Sequence, residues 1–321
     1  MSIWWATDHL AVLVGLVCRP LYKSFFGAND DSRTGLAAEY AVKTALEEQY
    51  AENLAKQVRE SDLDAAVVLA QDIPYNDEGC RMPNDAQCYV ANDYVEDLAK
   101  KHPELIPACS IHPGRPDAME ELERCITAKM PVLKLLPNCL NIDYEDDRYL
   151  PFWSRMAEEG MILLTLTGGE LTVKVYDASF GDPKRLAKIL DCGVTVIAAH
   201  SAGRSGLFDP DWTGDLIDMF GRYPNLYADN SALCSPNRAR TLKHILPPEV
   251  QQRIIHGSDY PMPVSGVGPW LCGKLKFSEH WKISKSKNIL QRDYLLKKAI
   301  GFEADTFTRM ETLLQRSPMV K

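Results

Sequence analysis

The sequence predicts an α/β fold: a (β/α)8 TIM-type barrel, distorted or incomplete at its first strand, with extra helices at its C-terminal end. Two observations predict it. Short apolar runs alternate with amphipathic stretches along most of the 321 residues, which is the signature of parallel βα units. The first polar residues after the runs also recur at a nearly even interval.

The runs fall at 65–70, 105–111, 131–136, 161–166, 194–199, 225–228 and 253–255. Each is short and nearly uninterrupted by charge, as expected of a strand covered on both faces. An eighth run, 3–7, carries two tryptophans and makes a poor first strand. Helices are predicted between the runs at 35–60, 88–101, 117–129, 149–159, 183–191, 213–222 and 237–245. The clearest start signal is Arg115-Pro116-Asp117 ahead of the helically spaced Met119 and Leu122. Two more helices, 289–299 and 304–314, close the chain. No Ser/Gly linker or repeat marks a boundary, so residues 1–321 read as one barrel domain, with 1–35 its least assigned part. The competing architecture, an open sheet that binds a nucleotide, requires a G-x-G-x-x-G loop after the first strand, and none occurs.

Composition narrows the function. A hydrophobic fraction of 45% and a charged fraction of 25% belong to an ordinary globular chain. With 36 Lys and Arg against 44 Asp and Glu, a net charge of −8 and no basic block, neither nucleic acid nor a membrane is expected as a partner. The nine cysteines are odd in number and lack C-x-x-C spacing, so reduced thiols and a cytoplasmic location are expected. The longest uncharged apolar run, 10–18, is too short to span a bilayer and has no Lys or Arg before it, so it reads as a buried segment.

In a parallel barrel the chemistry gathers at the carboxyl ends of the strands. The polar residues there are Gln71 and Asp72, His112, Lys134, the stretch Thr165 to Glu170, His200, Asp229 with Asn230, and Asp259. From His112, with Leu166 marking the Thr-Gly stretch, the intervals are 22, 32, 34, 29 and 30 residues. His200 leaves its run into Ser201-Ala202-Gly203 and is either a general base or metal ligand, or a strand-end histidine bonded to backbone. Asp259, in Gly257-Ser258-Asp259-Tyr260-Pro261, either ligates a metal and takes a proton from water, or caps a turn. His256 is expected behind it in a structural role. Lys134, inside an apolar run, either meets a substrate anion or forms a buried ion pair. His112, Glu170 and Arg204 are the remaining candidates for substrate contact; Glu170 serves equally as a helix start.

His112-Pro113, Lys134-Leu135, Thr167-Gly168-Gly169-Glu170, Ala199-His200 and His256-Gly257-Ser258-Asp259-Tyr260-Pro261, in that order, resemble the amidohydrolase superfamily. The nearest branch is the metal-dependent hydrolases that include aminocarboxymuconate semialdehyde decarboxylase. The resemblance spans about residues 60 to 315. It implies a barrel with a divalent metal, usually zinc, at the strand ends, and hydrolysis or non-oxidative decarboxylation of a small, carboxylated molecule. It assigns His200 to strand six and Asp259 to strand eight as catalytic and metal-binding residues. Two family features are missing: no His-x-His occurs near the N-terminus, where Asp8-His9 is the nearest approach, and Leu166 stands where strand five carries histidine. Three outcomes remain open: a metal held by His9, His200, Asp259 and Glu170; metal-free chemistry; or a degenerate barrel that binds a ligand or partner. A homo-oligomer is compatible with each.

Overall fold

Seven parallel strands, hydrogen-bonded in chain order from β1 to β7, curl into a barrel wall. The computed structural model describes residues 36–82, 89–171, 173–206 and 209–320, with 36–47 given by backbone alone. The strands are β1 (Ala66–Leu69), β2 (Leu105–Cys109), β3 (Val132–Leu135), β4 (Ile162–Leu166), β5 (Thr195–Ala199), β6 (Leu226–Asp229) and β7 (Ile254–Ile255). All seven predicted runs are strands, trimmed at their ends where the chain turns into a loop. The predicted first strand at 3–7, the run 10–18 and His9 lie outside the described residues.

Strand alternation sets the two faces of the wall. Val67, Leu69, Val132, Ile162, Leu164, Ile197, Tyr227 and Ile255 form an inner cluster. Val68, Leu133, Leu163, Val196, Leu226 and Ile254 pack outward against the helices. By the same two-residue period, Lys134 lies inward one layer above Val132, and Asp229 inward one layer above Tyr227. Both sit toward the carboxyl ends of their strands.

Helix α1 (Leu36–Arg59) precedes β1, and the helices between the strands are α2 (Asn92–Lys101), α3 (Ala118–Thr127), α4 (Pro137–Leu140), α5 (Leu150–Glu158), α6 (Ala187–Asp191), α7 (Thr213–Phe220), α8 (Leu242–Ile245) and α9 (Pro248–Gln251). After β7 come α10 (Val267–Leu271), α11 (Phe277–Ile283), α12 (Ile289–Ile300) and α13 (Ala304–Arg316). Two predicted helices are corrected. Residues 183–191 begin as a 3-10 turn before α6, and 237–245 reduce to a 3-10 turn followed by α8. Asp182, which accepts from Lys184 N–H at 2.9 Å, and Pro183 at the first position start the first of these segments as the 3-10 turn.

Helix α13 seals one end of the wall: its Met310, Leu313 and Leu314 join the inner cluster. The edges β1 and β7 are not paired with each other among the described residues. Helix α1 clasps the two sides. The Gln57 amide donates to the Tyr260 hydroxyl at 3.1 Å, its side-chain oxygen accepts from Ile289 N–H at 3.0 Å, and Tyr50 packs on Tyr260 with ring centres 5.8 Å apart. No helix among the described residues is long and apolar enough to cross a membrane.

Candidate active site at the carboxyl ends of the strands

The open end of the wall brings Lys134, Glu170, His200, Asp229, Arg238 and Asp259 within electrostatic reach of one another. Three consecutive left-handed residues, His200, Ser201 and Ala202 with φ of 59°, 52° and 53°, turn the chain sharply after β5. Non-glycine residues pay about 1 kcal/mol or more each for that conformation. Asp229 holds the turn: one carboxylate oxygen accepts from the backbone N–H groups of His200 at 2.8 Å and Ser231 at 3.0 Å, and from the Ser231 hydroxyl. Asp229 Oδ2 is buried with no hydrogen-bond partner among the described residues.

These bonds fix the His200 tautomer. The Ser231 hydroxyl spends its proton on Asp229, so the 2.8 Å contact between its oxygen and His200 Nδ1 requires the imidazole proton at Nδ1. The Ser231 carbonyl at 3.2 Å accepts there too. Nε2 is left with its lone pair. Burial first, then the positive charges of Arg238 and Lys134, hold His200 well below the ordinary histidine range, so it stays neutral.

Asp259 follows β7 in a left-handed conformation, φ 58°. Burial raises its pKa to about 7, and Glu170 and Asp229 add to the rise while Arg238 and Lys134 oppose it. Lys134 is 2% exposed, and its ammonium makes no ion pair or hydrogen bond among the described residues. Burial lowers its pKa, against the pull of Asp229, Asp259 and Glu170. Arg238, also buried, donates to the carbonyls of Gly203 at 3.2 Å and Gly169 at 2.8 Å, tying the loops after β4 and β5 together. Those loops touch so closely that a Cβ on Gly168, whose φ is +79°, would lie 2.3 Å from the Gly203 carbonyl oxygen.

The other candidates are placed differently. The His112 Nδ1 accepts from Gly114 N–H at 3.0 Å and its Nε2 donates to the Leu140 carbonyl at 2.9 Å, so neither nitrogen is left for a ligand. Burial takes its pKa down to about 4. Arg204 is half-exposed and faces Asp211 at 3.8 Å. A second buried cation, Arg238, joins Lys134 in the site; it is not among the sequence candidates, and its signal was an arginine in the loop that follows Asp229 and Asn230. His256 lies behind the site as expected, buried against Phe307 and 3.8 Å from Asp293.

The donor set does not fit the zinc site that the resemblance implies. A catalytic zinc takes three protein ligands, and among the described residues no group of three His, Cys, Asp or Glu side chains is arranged to hold a metal ion. Leu166, buried and paired with Ala199 in the β4–β5 ladder, fills the strand-five position. Where a metal would bring positive charge, this chain places Lys134 and Arg238.

A family model described as amidohydrolase matches residues 71–286. The crystal structure of an uncharacterised TIM-barrel protein from Bordetella bronchiseptica superposes with a TM-score of 0.56 at 17% identity over 83% of each chain, a likeness of fold. The 5-carboxyvanillate decarboxylase of Sphingomonas paucimobilis gives 0.49 at 14% identity, over 94% of this chain and 98% of the other. The 4-oxalomesaconate hydratase of Rhodopseudomonas palustris gives 0.47 at 14%, over 98% of both. No curated protein matches the sequence.

Proposed function

Because the chain belongs to the amidohydrolase family, we propose that it is an enzyme that binds a small carboxylated molecule across the open end of the barrel and cleaves it by hydrolysis or non-oxidative decarboxylation. The observation that carries the reading is Lys134, an inward side chain, 2% exposed, whose ammonium has no ion-pair contact among the described residues. An unpaired buried cation is costly, and a bound carboxylate relieves that cost. Arg238, on the same site, supports the same charge.

Asp259 and His200 are the groups that move protons. A carboxyl with a pKa of about 7 is a competent acid at neutral pH, and a bound substrate carboxylate favours its protonated form further. In decarboxylation the carbon–carboxylate bond breaks, its electron pair stays on carbon, CO2 leaves and the Asp259 proton goes to that carbon. In hydrolysis the His200 Nε2 takes a proton from the attacking water, and Asp259 gives its own to the leaving group. A second reading, ligand binding without turnover, is favoured by Leu166.

The test is a thermal-shift and turnover screen over small mono- and dicarboxylates. At least one is expected to stabilise the parent but not Lys134→Met. Asp259→Asn is expected to lower turnover by about 10²–10⁴-fold while binding persists. No stabilisation by any carboxylate, or equal stabilisation of Lys134→Met, removes the proposal; binding by the parent without turnover selects the second reading.

A further inference from the structure

Helices α10 and α11 form an arm that leaves the barrel after β7 and keeps its apolar side chains in water. Among the described residues, nine large hydrophobic side chains are exposed, and five of them are on this arm: Val267, Trp270, Leu271, Phe277 and Trp281. Leu271 is 68% exposed, Trp281 61% and Phe277 55%. Clustered exposure of this kind marks a contact surface. The arm is built rather than loose. Leu275 is buried at its root, a Cβ on Gly268 would lie 2.8 Å from Pro236 Cα, and Trp270 packs on Phe277 with ring centres 5.4 Å apart.

Charge says what covers it. Residues 267–288 hold Lys274, Lys276, Lys282, Lys285 and Lys287 against one acid, Glu279, a local charge of +4 in a chain of −8. Glu279 is occupied by the Lys276 backbone N–H at 3.2 Å. None of the five lysines forms an ion pair among the described residues, whereas Lys184 and Lys188 elsewhere pair with Asp215 and Asp147. Lysine is depleted at protein–protein interfaces. Its combination with exposed Trp, Phe and Leu is the pattern of segments that lie in a membrane interface. A single-stranded nucleic-acid groove is disfavoured by the absence of arginine from the arm and by the acidity of the rest of the chain.

We infer that the α10–α11 arm seats on a bilayer surface that carries anionic phospholipid, its aromatic and leucine side chains entering the interface and its lysines meeting headgroup phosphates. The contact is peripheral and does not depend on the proposed chemistry of the barrel. Co-sedimentation of the whole protein with phosphatidylcholine vesicles, with and without phosphatidylserine, tests it. Binding is expected only with phosphatidylserine and is expected to weaken as salt rises. Each lysine near the surface contributes about fivefold, the equivalent of about 1 kcal/mol, so Lys282→Gln, Lys285→Gln and Lys287→Gln together are expected to weaken binding about a hundredfold. Trp281→Ala with Leu271→Ala is expected to weaken it as well. All five positions are exposed, so circular dichroism of the variants is expected to match the parent. Absence of binding at low salt, equal binding to pure phosphatidylcholine, or full binding by the lysine variant overturns the inference. So does finding the arm occupied instead by a second copy or by single-stranded nucleic acid, seen as a dimer or a mobility shift that Trp281→Ala abolishes.

Discussion

At the residue scale, Lys134 and Leu166 define how this site departs from its family. Lys134 is held on the inner face with no ion-pair contact among the described residues, so the fold bears a desolvation cost that a methionine would not. Lys134→Met is expected to raise stability by about 1–3 kcal/mol in urea unfolding while it abolishes carboxylate binding. A loss of stability would show that the ammonium is already satisfied. Leu166 shares the inner-face period of Ile162 and Leu164 and stands beside the strand that ends at His200. Leu166→His adds a third nitrogen or oxygen donor to His200 and Asp259, and is expected to tighten zinc binding at least tenfold by isothermal titration. Equal affinity in parent and variant would mean that the three side chains do not converge. Both residues stood out in the sequence, one as a charge in an apolar run and the other against the family pattern.

At the scale of elements, the loop that carries Asp259 is held from behind by α12. Lys297, fully buried, donates to Asp293 Oδ2 at 2.6 Å and to the Gly257 carbonyl. Breaking a buried pair from one side strands a charge, so Lys297→Met is expected to cost about 3–5 kcal/mol. The double change Asp293→Leu with Lys297→Met removes both charges and is expected to recover much of that cost, as measured by urea unfolding. If the double variant is as unstable as the single, the lysine acts through the Gly257 bond alone. In the sequence this pair was only an i, i+4 charge pair on a predicted helix, indistinguishable from a solvated surface pair. The short helices α4, α9, α10 and α11 were equally illegible, because segments of four to seven residues draw their stability from tertiary contacts rather than from local periodicity.

At the scale of the whole molecule, burial leaves three histidines neutral: His112, His200 and His256 all have pKa values below the ordinary range. The unfolded chain protonates them near pH 6.5. Between that value and the folded one, unfolding takes up protons, so their contribution is full above about pH 6.5 and is lost as the pH falls. Asp259, Asp72 and Asp293, raised by burial, have the opposite sign and lose their contribution as the pH rises through their folded values. His256→Leu removes one histidine from this balance. It is expected to reduce the stability lost between pH 7 and pH 5, from urea unfolding at the two values. A loss as large as the parent's would mean that His256 is already charged in the fold.

Strand positions, the charge of Lys134 inside an apolar run, and the retention of His200 and Asp259 beside a lost histidine were determined by the sequence alone, because apolar period and motif order are local properties of the chain. Only the tertiary structure decided how those residues are used. It turned His112 onto backbone groups, left Arg204 facing Asp211 and brought Arg238 into the site. It also fixed the His200 proton on Nδ1 through Ser231 and Asp229. The lysines of the α10–α11 arm vanish in a chain-wide charge of −8. They become a surface only when two short helices set them around exposed tryptophans. Hydrogen-bond partners, burial and charge neighbourhoods join residues far apart in the chain, and no window along the sequence contains them.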